Sequence, residues 1–247
     1  MPKFFVKSSN IVDDKIIIDD QNVNHMKNVL RLQVGDEIII NDRQGHDYKC
    51  IINAIEGSQI ITHIDSVTAC SSEPSTKVTL FQSLIKGEKM EWVIQKAVEI
   101  GVTKIVPLCT SRCVVKLDSP KKMTAKIERW NKIAEAAAKQ SGRGIVPEVA
   151  CPMYFDEGLQ YVKENHILSL IPYEKEHEQG IRGVLQSSTS QEVGIFIGPE
   201  GGFTEEEIEK AIESHVHSVS LGSRILRSET ASLVTLTNIM YEMGEMG

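Results

Sequence analysis

IFIGPEGGFTEEEIEKAI (residues 195–212) and VSLGSRILRSETASLVTLTNIMYEM (residues 219–243) share one pattern. Two short apolar strands each run into a glycine-bearing loop, and each loop feeds a helix. That layout lines a pocket with backbone at the strand ends, where open α/β sheets bind ligands. The chain contains neither G-x-x-x-x-G-K-[ST] nor G-x-G-x-x-G, so a nucleoside triphosphate or a nicotinamide dinucleotide is not the expected occupant. In the first loop Pro199 stops the strand, Gly201-Gly202 permits positive φ, and Thr204 with Glu207 forms a capping-box pattern worth about 1 kcal/mol. In the second loop Gly222 breaks the strand, Arg224 and Arg227 flank Ile225-Leu226, and Ser228 is the expected N-cap of the last helix. Glu229 suits the positive end of that helix dipole, and the two arginines suit an anionic or nucleobase partner.

Strands at residues 78–85, 104–108, 166–171, 193–197 and 218–221 alternate with helices at 88–100, 123–140, 181–186, 204–214 and beyond 228. This alternation predicts a mainly parallel sheet covered on both faces. The first 70 residues read differently. β-branched runs at 15–18, 37–40, 48–55 and 59–67 are separated by turn residues, with one helical segment at 22–31 carrying Val23, Met26, Val29 and Leu30 on one side. That pattern predicts a small β-barrel with one helix. The polar stretch ACSSEPSTK (residues 69–77) reads as a linker, which gives domains at 1–70 and 77–247.

Composition narrows the function. The 247 residues are 41% hydrophobic, with no membrane-length apolar run and no signal-peptide pattern at MPKFFVKSSN, so a cytoplasmic protein is expected. Cys50, Cys70, Cys109, Cys113 and Cys151 are scattered without metal-ligand spacing, as expected of reduced thiols, and no metal site is expected, His215 and His217 included. The net charge is −7, yet residues 121–143 hold seven basic side chains against Glu128 and Glu135. A local basic face on an acidic protein can hold RNA, because phosphate neutralisation acts at short range; a solvated helix face is the alternative.

GPEGGFTEEEIE followed by SLGSRILRSETA resembles the RsmE family of 16S rRNA uracil-N3 methyltransferases, within the SPOUT superfamily. KGEKMEWVIQKAVEIGVTKIVPL (residues 86–108), ERWNKIAEAAAKQSGR (128–143) and NHMKNVLRLQVGDEI (24–38) resemble further family blocks in the same order. The resemblance implies a SPOUT-type α/β sheet with a C-terminal trefoil knot, a PUA-like N-terminal β-barrel, and a homodimer. It also implies S-adenosylmethionine as cofactor and 16S rRNA in the small ribosomal subunit as substrate. Cofactor binding falls on Leu170, Ile197, Gly198, Glu200, Gly201, Leu221, Gly222, Ile225 and Leu226.

The chemistry asks for a cation at the uracil oxygens or a base at N3, and Arg227, Glu229 and Thr230 are the candidates for catalysis and base positioning. Near family blocks, His25, Arg31, Arg43, Lys86, Lys89, Arg112 and Arg143 are the candidates for RNA contact, and Lys3 is a candidate phosphate contact. Arg143 has no evident packing duty in its loop. Leu233, Leu236, Ile239, Met240 and Met243 of the last helix could face either a dimer partner or the core. Two other readings stay open. One is a SPOUT enzyme acting on another RNA atom, such as a ribose 2′-OH, and the other is a non-catalytic RNA-binding assembly factor.

Overall fold

Strands whose side chains alternate between core and solvent build the N-terminal part of the computed structural model, which describes residues 1–19, 22–115 and 119–246. In chain order its elements are β1 (Lys3–Phe5), β2 (Ile11–Val12), β3 (Lys15–Ile18), α1 (Asn22–Asn24), β4 (Glu37–Asn41), β5 (His46–Glu56) and β6 (Gln59–Ala69). They form a six-stranded sheet in the order β1-β4-β5-β6-β3-β2. β1 pairs parallel with β4, and the other pairings are antiparallel. Every second residue of β3 and β4 points inward, and Ile16, Ile18, Ile38, Ile40, Ile52 and Ile60 are fully buried. α1 continues into a wide π turn over His25–Val29. The wider turn breaks the 3.6-residue period, so Val23 and Met26 reach the core while Val29 and Leu30 are left exposed, unlike the single apolar side expected.

Residues 138–146 group with this unit and not with the residues on either side of them. The reason is local and polar. The Gly142 carbonyl accepts from Lys3 Nζ at 2.9 Å and from Ser72 Oγ at 2.6 Å. Lys3 also pairs with Asp47 at 3.0 Å, so it is spent on internal contacts and not held out for a phosphate.

The second unit, residues 74–137 and 147–247, is the α/β part. Its strands are β7 (Lys77–Ser83), β8 (Lys104–Cys109), β9 (Glu148–Val149), β10 (Met153–Tyr154), β11 (Leu168–Pro172), β12 (Glu192–Ile197) and β13 (His217–Val219). All pair in parallel, in the order β10-β8-β7-β12-β11-β13, with β9 also on β8. The central strands are nearly continuous apolar runs because helices cover both faces. Those helices are α2 (Lys89–Ile100), α3 (Pro120–Ser141), α4 (Phe155–Glu164), α5 (Ile181–Gln186), α6 (Glu205–Glu213) and α7 (Ser228–Glu242).

Phe81 of β7 stacks on Phe196 of β12 with ring centroids 4.5 Å apart, and Phe155 of α4 meets Phe196 edge-on at 5.9 Å. Each such pair adds about 0.5–1.5 kcal/mol beyond its burial. α4 is absent from the sequence reading because Gly158 sits in mid-helix, where glycine normally argues against one. Here a Cβ would stand 3.2 Å from Leu108 and 3.3 Å from Phe196, so close helix–sheet packing requires the glycine.

α6 starts as expected. Glu207 N–H donates to Thr204 Oγ1 at 3.1 Å, and the Glu207 carboxylate accepts from Thr204 N–H at 2.8 Å. The same carboxylate accepts from Ser111 N–H at 2.8 Å, which fixes the loop after β8 to the start of α6. In α7, Leu236, Ile239 and Met240 are completely buried, and Leu233 and Met243 are half-buried. That face therefore serves the core of its own unit. No helix among the described residues is long and apolar enough to cross a membrane.

Candidate active site

Three adjacent parallel strands, β12, β11 and β13, end at the same edge of the sheet, and their loops enclose a cavity of about 510 Å³. The volume is in the range of small-molecule and cofactor sites. The loop after β12 contributes Ile197 to Phe203, the loop after β11 contributes Pro172, Tyr173, Glu174 and His177, and the loop after β13 contributes Leu221 to Arg227. Lys89 at the start of α2 and Ser228, Glu229 and Ala231 at the start of α7 complete the wall.

The first loop is held from two directions. Arg112 Nη1 donates to the carbonyls of Gly201 at 2.8 Å and Phe203 at 3.0 Å. The carboxylate of Glu200 accepts from Lys86 N–H at 3.1 Å. Arg112 and Glu200 thus have structural duties in the loop that need neither RNA nor cofactor. A third tie runs through the core. Gln82, fully buried in β7, donates to Ser228 Oγ at 3.1 Å, and Ser228 Oγ donates to the Gly198 carbonyl at 2.5 Å. Ser232 Oγ bonds Gln82 Oε1, so one buried glutamine links the first loop, the central strand and α7. Ser228 is accordingly the first helical residue and not the N-cap. Arg227 takes the N-cap position in extended conformation without a side-chain cap bond, because a guanidinium has no acceptor to offer the helix N–H groups, and the Ser228 hydroxyl bonds Gly198.

The second loop is open. Gly222 has φ +97°, and nothing lies within 4 Å of where a Cβ would stand. Ile225 is 89% exposed, an apolar side chain held out at the cavity rim. Arg224 and Arg227 are also exposed. Beside them, Lys89 Nζ stands 3.3 Å from Glu229 Oε1, while Glu229 Oε2 is buried and has no hydrogen-bond partner. Burial would raise the Glu229 pKa, but its own backbone N–H, Lys89 and Arg227 outweigh that and hold the carboxyl below its ordinary range. Glu229 is therefore ionised at neutral pH and a weak base.

The model of the RNA methyltransferase domain matches residues 72–240, and that of the RNA methyltransferase PUA domain matches residues 18–65. The chain is 36% identical over 230 residues to the ribosomal RNA small subunit methyltransferase E of Bacillus subtilis, covering 91% of this chain and 89% of that protein. It belongs to the ribosomal RNA small subunit methyltransferase E family. The Mesomycoplasma hyopneumoniae member is 32% identical over 242 residues, covering 98% of this chain and all of that one. A crystal structure of the Neisseria gonorrhoeae member bound to S-adenosyl methionine superposes with a TM-score of 0.82 at 30% identity, covering 98% of this chain and 97% of that one.

In this member of the methyltransferase E family the cavity brings together Ile197, Gly198, Glu200, Gly201, Leu221, Gly222, Ile225, Leu226, Arg227 and Glu229. It leaves out two of the expected residues. Leu170 is fully buried in the middle of β11 and does not reach the cavity; Pro172 and Tyr173, at the strand end, do. Thr230 is exposed and lies outside the lining.

The seven expected RNA contacts divide. Lys89 lines the cavity, and Arg112 clamps a loop. The guanidinium of Arg143 is buried and paired with Glu73 at 2.8 Å, so it has the packing duty the sequence hid. Lys86 is exposed beside the first loop. In the first unit His25 and Arg31 are exposed, and the ring of His25 sits edge-on 6.3 Å from Phe4. Arg43 occupies the turn after β4 at φ +62°, its N–H bonded to Asn41 Oδ1 at 2.8 Å. Gln82, Ser228 and Ser232 were missed as loop supports. The available signal was a glutamine within the apolar strand VTLFQSLI, since a buried polar side chain must find partners.

Proposed function

We propose that this chain transfers a methyl group from S-adenosylmethionine to N3 of one uridine in 16S rRNA, near the 3′ end and within the small ribosomal subunit. The carrying observation is the single cavity rim where exposed Arg227 and the Lys89–Glu229 pair meet two backbone-lined loops. The residues present fit the cofactor. Ile197, Leu221, Ile225 and Leu226 offer apolar walls for an adenine ring, and the open space at Gly222 admits a close ligand. Glu229, an ionised carboxylate in the cavity wall, supplies a negative charge near a cationic ligand.

The bound sulfonium supplies an electrophilic methyl group. The protein's part is alignment and charge. N3 of uracil lies on the Watson–Crick edge, so the base must be unpaired before it can enter. The N3 lone pair that attacks points along the former N3–H bond. The proton therefore has to leave before the methyl group approaches along the same line. Arg227 stabilises the resulting imidate at its carbonyl oxygens. Glu229, held below its usual pKa by its own amide, Lys89 and Arg227 against burial, is suited to holding cations and not to removing an imide proton.

The proposal includes the finer architecture. The strand order and the two loops support a C-terminal trefoil knot, the N-terminal sheet supports a PUA-like barrel that grips rRNA, and the active form is a cytoplasmic homodimer. Calorimetry with S-adenosylmethionine, followed by nucleoside analysis of small subunits incubated with it, tests the activity. The expected product is 3-methyluridine. A ribose-methylated nucleoside would indicate the 2′-OH reading, and tight subunit binding with no modified nucleoside would indicate a non-catalytic factor.

A further inference from the structure

The imidate formed at N3 carries its charge on both flanking oxygens, O2 and O4, which lie on opposite sides of the reacting atom. One guanidinium reaching one side leaves the other oxygen to water. The cavity rim holds a second cation. Lys89, at the first residue of α2, has its ammonium 3.3 Å from Glu229 Oε1. An ammonium has three N–H donors, and the Glu229 pairing accounts for one. Its side chain is 38% exposed and lines the cavity, so the other donors face space that a base can enter.

We propose that Lys89 is a second catalytic cation, its ammonium contacting one carbonyl oxygen of the target uracil while Arg227 contacts the other. Glu229 is then the positioning residue that keeps the lysine at the rim. This inference rests on the uracil-N3 reading and deepens it. The step balances simply. The N3–H bond breaks with its electron pair left on nitrogen and the proton passing to solvent. The N3–carbon bond then forms as the carbon–sulfur bond breaks, and that electron pair returns to sulfur as a neutral thioether. Lys89 and Arg227 take part in neither bond change; they lower the energy of the anion between them.

The other charged groups at the rim come from every surrounding element. Glu174 and His177 follow β11, Glu200 follows β12, and Arg224 precedes Arg227 on the loop after β13. A change at Lys89 leaves these groups in place but removes the ion pair of Glu229, so the charge of the lysine is isolated by comparing Lys89→Ala with Lys89→Arg, which keeps a cation beside Glu229.

The test is single-turnover methylation of small subunits from pH 6 to pH 10 by the wild type, Lys89→Ala and Lys89→Arg, with S-adenosylmethionine affinity measured for each. Lys89→Ala is expected to be about 100-fold slower at pH 7. Its pH–rate midpoint should move alkaline by about two units, so that its deficit narrows steadily towards pH 10, because 100-fold of lost anion stabilisation equals two units of N3 acidity. Lys89→Arg, still a cation, should keep most of the rate. A plateau lowered equally at every pH, with an unchanged midpoint, overturns the proposal and makes Lys89 merely structural. A wild-type enzyme that forms no 3-methyluridine overturns both this inference and the activity on which it rests.

Discussion

Arg227→Ala is expected to lower single-turnover methyl transfer by about 10²–10³-fold while S-adenosylmethionine affinity stays within about twofold. The asymmetry follows from where the residue stands. Its guanidinium is exposed at the cavity rim, its backbone is the N-cap of α7, and its side chain makes no cap bond. The pocket walls are instead held by the Gln82–Ser228–Gly198 chain and by Arg112 on the first loop. Removing the Arg227 side chain leaves those ties untouched, so the loops keep their shape and the interaction lost is one made with the developing anion. Calorimetry and a rapid-quench assay on the same preparation would separate the two effects. Turnover retained in Arg227→Ala would remove this residue from the mechanism.

Arg143→Ala is expected to destabilise the first unit by about 3–5 kcal/mol, the usual cost of leaving half of a buried ion pair unmatched. The guanidinium donates to both oxygens of Glu73, at 3.3 Å through Nε and 2.8 Å through Nη2, and its residue is only 2% exposed. Glu73 Oε1 also accepts the N–H groups of Gly144 and Ile145 at 2.7 and 2.9 Å. Losing the arginine would leave a carboxylate held by backbone amides without its countercharge. Urea denaturation of the purified protein would report the loss. If Arg143 were instead an RNA contact, the variant would unfold like the wild type and would bind subunits with a weaker salt dependence.

These two arginines show what can be read from a chain of residues. Arg227 sits in a loop whose strand, glycine and helix start are all local signals, and the cavity forms around it. The Thr204–Glu207 capping box is equally local, three residues apart, and appears as the sequence suggests. Arg143 finds its partner 70 residues away, and Arg112 finds the Gly201 carbonyl 89 residues away. Each looked free because long-range pairing leaves no trace in local spacing. Leu170 is a different case: the sequence places the third strand at 166–171, the fold carries it to Pro172, and in a parallel sheet the end of the strand decides which side chains line the cavity. α4 was hidden by Gly158, whose requirement comes from Leu108 and Phe196 on strands far from it in sequence. The sequence offers Lys89 as a candidate RNA contact, and only the fold brings it beside Glu229 at the start of α7.

Primer extension through 16S rRNA, taken from unmodified small subunits after incubation with the protein and S-adenosylmethionine, shows whether the methyl group lands on uracil N3. A methyl group on N3 blocks Watson–Crick pairing, so reverse transcriptase should stop beside one uridine near the 3′ end, and only when cofactor and active protein are both present. Methyl incorporation without a stop would contradict uracil-N3 transfer, because a ribose or a non-pairing atom would then carry the methyl group.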